Sequence, residues 1–131
     1  MNQQEEEILI LNYFRDQYTD FPKGKLVKSE SPDFILKINP KKSIGIELTR
    51  LDNDSDSLFE KIEATLQNKS DKFKLYQRKK FASIWLIIHT DFIDNMKLFN
   101  LQEKLDNKKF ESKYDKVFLF DLFENKGFIV K

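Results

Sequence analysis

The chain has 131 residues, the size of one compact domain, with 40% apolar and 34% charged side chains. Its 13 Phe, 4 Tyr and 1 Trp supply large core pieces and argue against disorder, and 3 Gly with 3 Pro exclude collagen-like and low-complexity chains. The absence of Cys excludes a disulfide scaffold, a zinc finger and a thiol nucleophile and permits a cytoplasmic location, while a net charge of +1 carries no global nucleic-acid signature.

Residues 1–7 are acidic, so a signal peptide with its basic start is not expected. The first predicted helix covers residues 4–18, where Leu11, Phe14 and Tyr18 recur at helical spacing with Ile8 and Ile10 nearby. Phe21-Pro22-Lys23-Gly24 ends it, and Leu26-Val27 is a short strand. Phe34, Leu36 and Ile38 alternate, as do Ile44, Ile46 and Leu48, and Asn39-Pro40-Lys41-Lys42 between them is turn material, so this is the clearest hairpin. A long helix follows, opened by a capping box at Ser57-Leu58-Phe59-Glu60 and striped by Phe59, Ile62, Leu66, Phe73 and Tyr76. Residues 84–88 form a buried strand, the longest purely apolar run, too short to cross a bilayer. Leu98, Leu101 and Leu105 mark a third helix, Val117-Phe118-Leu119-Phe120 a strand, and Phe128-Ile129-Val130 the last strand. The order αβββαβαββ predicts an α/β sandwich, a central mixed sheet flanked by helices, in a single domain of residues 1–131.

Charge is unevenly placed. Asp52, Asp54, Asp56, Glu60 and Glu63 precede Lys69, Lys72, Lys74, Arg78, Lys79 and Lys80, an order that suits the dipole of the long helix. Trp85, Phe118, Phe120 and Phe123 read as sheet packing, and the lone His89 as structural.

The hairpin also places two acids. If both apolar sets face one core, Phe34 lies opposite Ile46, Leu36 opposite Ile44, and Asp33 opposite Glu47. Opposed Cβ atoms lie ~5 Å apart, where like charges are destabilising. Such a pair wants a cation between the carboxylates or a proton on one of them. An ordinary hairpin with a wet, charged face is the alternative, since Asp after Pro is common turn chemistry. In the long helix Lys69 interrupts the apolar stripe, either snorkelling to water or reaching the sheet's acids. Glu7 lies in line with Leu11, Phe14 and Tyr18, although a helix-start acid favoured by the dipole also accounts for it, as for Glu5 and Glu6.

A helical Glu, then Pro32-Asp33 on one strand, Glu47-Leu48-Thr49 on the next, and a helix bearing Lys69-Ser70-Asp71-Lys72-Phe73 and Tyr76 together resemble the PD-(D/E)XK nuclease superfamily. The resemblance covers about residues 5–90 and implies a restriction-endonuclease-like fold. It implies Asp33, Glu47 and the main-chain carbonyl of Leu48 as ligands of Mg²⁺ or Mn²⁺, with Glu7 contacting the metal through water. The motif's Lys, two residues after the acid, is here Thr49, which shares the strand face of Glu47 and would meet substrate. Some relatives move that Lys to the following helix, which matches Lys69, with Lys72 in reserve beside the substrate. The expected activity is metal-dependent hydrolysis of phosphodiester bonds, in DNA ahead of RNA, by a protein that touches no membrane. A homodimer is compatible with the class. The alternative is a nuclease-fold domain without catalysis that binds protein or nucleic acid.

Overall fold

Asn2 leaves the helical conformation and its side-chain oxygen accepts the Glu5 amide at 2.8 Å, which starts α1 (Gln3–Gln17). The computed structural model describes residues 1–51, 57–94 and 99–131, so Leu98 and the acids Asp52, Asp54 and Asp56 lie outside the described residues. After α1 come β1 (Lys25–Lys28), β2 (Phe34–Asn39), β3 (Lys42–Arg50), α2 (Leu58–Gln77), β4 (Ser83–Thr90), α3 (Leu101–Lys108), β5 (Lys116–Asp121) and β6 (Lys126–Ile129). This is the order αβββαβαββ, an α/β fold whose described residues form a six-stranded mixed sheet and three helices.

The strands lie in chain order across the sheet. The pairs β1/β2, β2/β3 and β5/β6 are antiparallel, while β3/β4 and β4/β5 are parallel. Parallel neighbours need a crossover, and α2 and α3 supply the two crossovers. Both steps move the same way across the sheet, so crossovers of one hand place both helices on one face. Leu58, Ile62, Leu66, Phe73 and Tyr76 of α2 and Leu101 and Leu105 of α3 accordingly share a core with Ile84, Leu86, Ile88, Val117 and Leu119. The opposite face is taken by α1, whose Ile10, Leu11 and Phe14 meet Phe34, Leu36, Ile44, Ile46, Leu48, Trp85, Ile87, Phe118 and Phe120. Phe14 packs edge-on to Phe118 and Phe120 at 5.0 and 5.6 Å, a geometry that adds about 0.5–1.5 kcal/mol per pair beyond burial.

The predicted hairpin register is present: Phe34 pairs with Ile46 and Leu36 with Ile44. Past Lys37 the pairing slips, and Asn39 meets Lys42, so Ile38 sits in an irregularity next to the turn. Gly45 lets the hairpin be covered closely, because a Cβ there would lie 3.0 Å from the Phe81 ring and 3.1 Å from Pro32. Ser57 caps α2, its hydroxyl accepting the Glu60 amide at 3.5 Å. Phe59 packs half-buried against the α2 core as the stripe predicts, with Leu58 buried beside it. One aromatic expectation shifts: Phe123 does not pack on the sheet but stands 73% exposed in the β5–β6 turn against Phe92.

Candidate active site

Glu47 faces α2, opposite to its strand neighbours Ile46 and Leu48, and is 1% exposed. A carboxylate there survives because α2 delivers donors to it. Tyr76 donates its hydroxyl to Glu47 Oε2 at 2.9 Å, and the ammonium groups of Lys69 and Lys72 each lie 3.4 Å from the same oxygen. These three residues fall on one side of the helix at steps of three and four, so the apolar stripe interrupted by Lys69 continues as a polar tip on Tyr76. Tyr114 braces this turn, donating its hydroxyl to the Lys69 carbonyl at 3.1 Å while its ring meets Phe73.

Asp33 immediately precedes β2. Its Oδ2 accepts the Leu48 amide at 2.8 Å, which ties the acid to β3 beside Glu47. The two carboxyls line the same hollow. Glu7 approaches Asp33 from α1, and its Oε2 lies 3.5 Å from the Lys28 ammonium without a hydrogen bond to it. That ammonium also donates to the Ser29 and Asp33 carbonyls at 2.7 and 3.1 Å.

Burial pushes the Asp33 carboxyl above the ordinary carboxylate range, and Glu7 adds to this, against the Glu47 hydrogen bond and the Leu48 amide. Burial also raises Glu47, with Asp33 adding to it and Lys69 and Tyr76 opposing. Glu47, raised both by burial and by Asp33, is the member of the pair that holds a proton more readily. The negative charge of Glu47 raises Lys72, and burial followed by that charge moves the Tyr76 hydroxyl far up.

Glu7, Asp33, Glu47, Leu48, Thr49, Lys69 and Lys72 all line one hollow of about 500 Å³. Every site residue expected from the sequence is therefore brought to one place, from α1, β2, β3 and α2. Arg50 and His89 line it as well, at the ends of β3 and β4. His89 is buried with its Nδ1 unbonded, and burial, reinforced by Arg50, lowers its pKa to about 4. Tyr76 as donor, Lys28 as the partner of Glu7, and the lining by Arg50 and His89 escaped sequence reasoning. A tyrosine seven residues after an out-of-place lysine, on the same stripe, is a signal for the first; the other contacts depend on tertiary packing. A larger cavity of about 680 Å³, lined by Glu63, Leu66, Gln67 and residues 108–113, lies elsewhere and contains none of these groups.

The buried Glu47 carboxyl and the half-buried Asp33 carboxyl, both with raised pKa values, and a main-chain segment held beside them form an open set of hard oxygen donors. Among the described residues no group of three Asp, Glu or His side chains makes a closed metal cage. Mg²⁺ is commonly held by only one or two carboxylates plus water, so the chemistry of Asp33 and Glu47 fits it, and the Leu48 main chain, whose amide binds Asp33, would supply a further oxygen.

Comparison with family models, with curated proteins and with solved structures gives no match. Among the described residues no helix is long and apolar enough to cross a membrane.

Proposed function

We propose that the chain is a restriction-endonuclease-like, metal-dependent nuclease of the PD-(D/E)XK type that hydrolyses phosphodiester bonds, in DNA ahead of RNA. The observation that carries this reading is the meeting of Asp33 and Glu47 from adjacent strands with the Lys69 ammonium, 3.4 Å from Glu47, in one hollow. Asp33, Glu47 and Leu48 would hold Mg²⁺ or Mn²⁺, which supplies charge neutralisation of the phosphodiester and a water of lowered pKa. Lys69 brings an ammonium to the place where negative charge grows in the transition state, and orients the attacking water. Lys72 and Thr49 line the path of the substrate backbone. Glu7, next to Asp33, adds a carboxylate that acts through water.

A second reading has its own support. Glu47 Oε2 already receives Tyr76, Lys69 and Lys72, and Thr49 stands where the motif has its Lys. A domain that keeps the fold and only binds nucleic acid or protein would tolerate both features. Mn²⁺ titration and a cleavage assay separate the readings. The nuclease should bind Mn²⁺ as wild type but not as Asp33→Ala, and should cleave DNA in a reaction lost in Glu47→Ala and Lys69→Ala. Equal Mn²⁺ binding by Asp33→Ala removes the metal site, and no cleavage of DNA or RNA with either metal leaves the binding domain.

A further inference from the structure

The chain is nearly neutral overall, yet its lysines are segregated. Lys23, Lys25, Lys37, Lys41 and Lys42 are all exposed on or beside the β1–β2 hairpin. Among the described residues, none of the salt bridges involves any of these five. The acids of this stretch, Glu30 and Asp33, sit at the opposite end of the two strands, and residues 34–46 contain none. Lys25 and Lys37 are direct cross-strand partners. Their Cβ atoms lie ~5 Å apart, an arrangement of like charges that disfavours the free protein.

We propose that this end of the hairpin, with Lys25 and Lys37 on the Glu47 side of the sheet and Lys41 and Lys42 at the β2–β3 turn, grips the sugar–phosphate backbone of nucleic acid, independently of base sequence. The reading rests on the proposed function for the identity of the polyanion; the charge pattern stands without it. Register places the face where a substrate would need it. Lys37 pairs with Ser43, and Ser43 alternates onto the same side of β3 as Glu47. Lys37 is four residues from Asp33 along the strand, about 13 Å, which spans roughly four base pairs of duplex at ~3.4 Å each. The chain that leaves α2 reaches the lysine end of the hairpin, where the Ala82 amide donates to the Ser43 carbonyl at 2.8 Å, while Lys79 donates to the Ser31 carbonyl at the acidic end. An apolar-anchored partner fits poorly: the exposed large hydrophobic side chains, among them Ile8, Leu75, Phe92 and Phe123, lie outside the hairpin. Exposed lysine ammonium groups supply charge and no base recognition, hence contact with phosphates.

The test is fluorescence anisotropy of a labelled duplex of mixed sequence, in EDTA, across a series of NaCl concentrations. The full-length chain is compared with K25Q/K37Q/K41Q/K42Q and with K104Q/K108Q/K109Q/K113Q, which removes the same charge from exposed positions on and after α3. Binding by wild type should weaken steeply with salt. The hairpin variant should lose about 3–4 from the slope of log affinity against log salt, and the α3 variant should keep most of it. No binding by wild type at low salt, an unchanged slope in the hairpin variant, or equal losses in both variants would overturn the proposal. So would anionic vesicles that bind through the same four lysines when the duplex does not. Cleavage with Mg²⁺ is read separately. Binding without cleavage sinks the hydrolase and leaves the surface, whereas cleavage with an unaffected hairpin variant sinks the surface and leaves the hydrolase.

Discussion

Glu47 and His89 are buried titratable groups on adjacent strands, and they respond to pH in opposite senses. Asp33 and Glu47 have raised folded-state values, so their contribution to stability is present at low pH and is lost as pH rises through those values. His89 is lowered from 6.5 to about 4, so its contribution is complete above pH 6.5 and is lost as pH falls toward 4. Urea denaturation of wild type and His89→Gln at pH 7 and pH 4.5 isolates the histidine, because the carboxyls are common to both proteins. The stability advantage of wild type should shrink by about 2 kcal/mol on acidification. A gap that stays constant between the two pH values would mean that His89 is protonated normally in the folded chain. At this scale the sequence announced Glu47 through its register opposite Asp33, and Lys69 as a charge set into an apolar stripe. It did not announce the Tyr76 hydroxyl as a donor or Lys28 as the partner of Glu7, since an amphipathic side chain in a stripe looks the same whether its tip bonds or not.

Among the elements, β6 has the most telling construction. It closes one edge of the sheet, where outward-facing amides invite another strand. Two glutamines from helices on opposite faces reach round to occupy them. Gln17, the last residue of α1, accepts the Gly127 amide at 3.2 Å, and a Cβ at Gly127 would lie 2.6 Å from the Gln17 amide nitrogen. Gln102 of α3 both accepts the Ile129 amide and donates to the Ile129 carbonyl, each at 2.8 Å, in the manner of a one-residue strand. The other edge, β1, is protected differently, by its length of four residues and by Lys25 and Lys28 at its ends. Q17A/Q102A should therefore raise self-association relative to wild type, measured by light scattering across protein concentration. It should also lower stability by about 0.5–1.5 kcal/mol per lost hydrogen bond. Identical mass for variant and wild type at every concentration would show that the glutamines do not guard the edge. The alternation in β2 and β3 made their register legible beforehand, since a one-residue slip would have turned Phe34, Leu36, Ile44 and Ile46 to the wrong face. The edge plugs were not legible, because they join residues 110 apart in the case of Gln17 and Gly127.

Across the whole molecule the element order was readable because each segment keeps one period, two in the strands and 3.6 in the helices. Phe123 broke the pattern: the alternation of Phe118 and Phe120 runs on to Leu122, which packs on that core, whereas Phe123 follows in the turn after the chain has left the sheet. The resulting sheet is unequal in strength from centre to edge. Residues 84–88 of β4 are at most 4% exposed, covered on both faces and paired on both sides. The site lies off this centre, on the β2–β3 side, and is tied to it through the Leu48 amide donated to Asp33 and the pairing of Leu48 with Ile87. Hydrogen exchange should follow the same gradient, with β4 amides opening only on global unfolding and β1 amides fastest among the strands. Asp33→Ala should accelerate exchange of the Leu48 amide while leaving that of Ile87 unchanged, because the substitution removes one acceptor and no part of the central ladder. Were Leu48 and Ile87 to accelerate together, Asp33 would have to be counted as part of the framework that holds the sheet. It would no longer be a group the framework presents to the hollow.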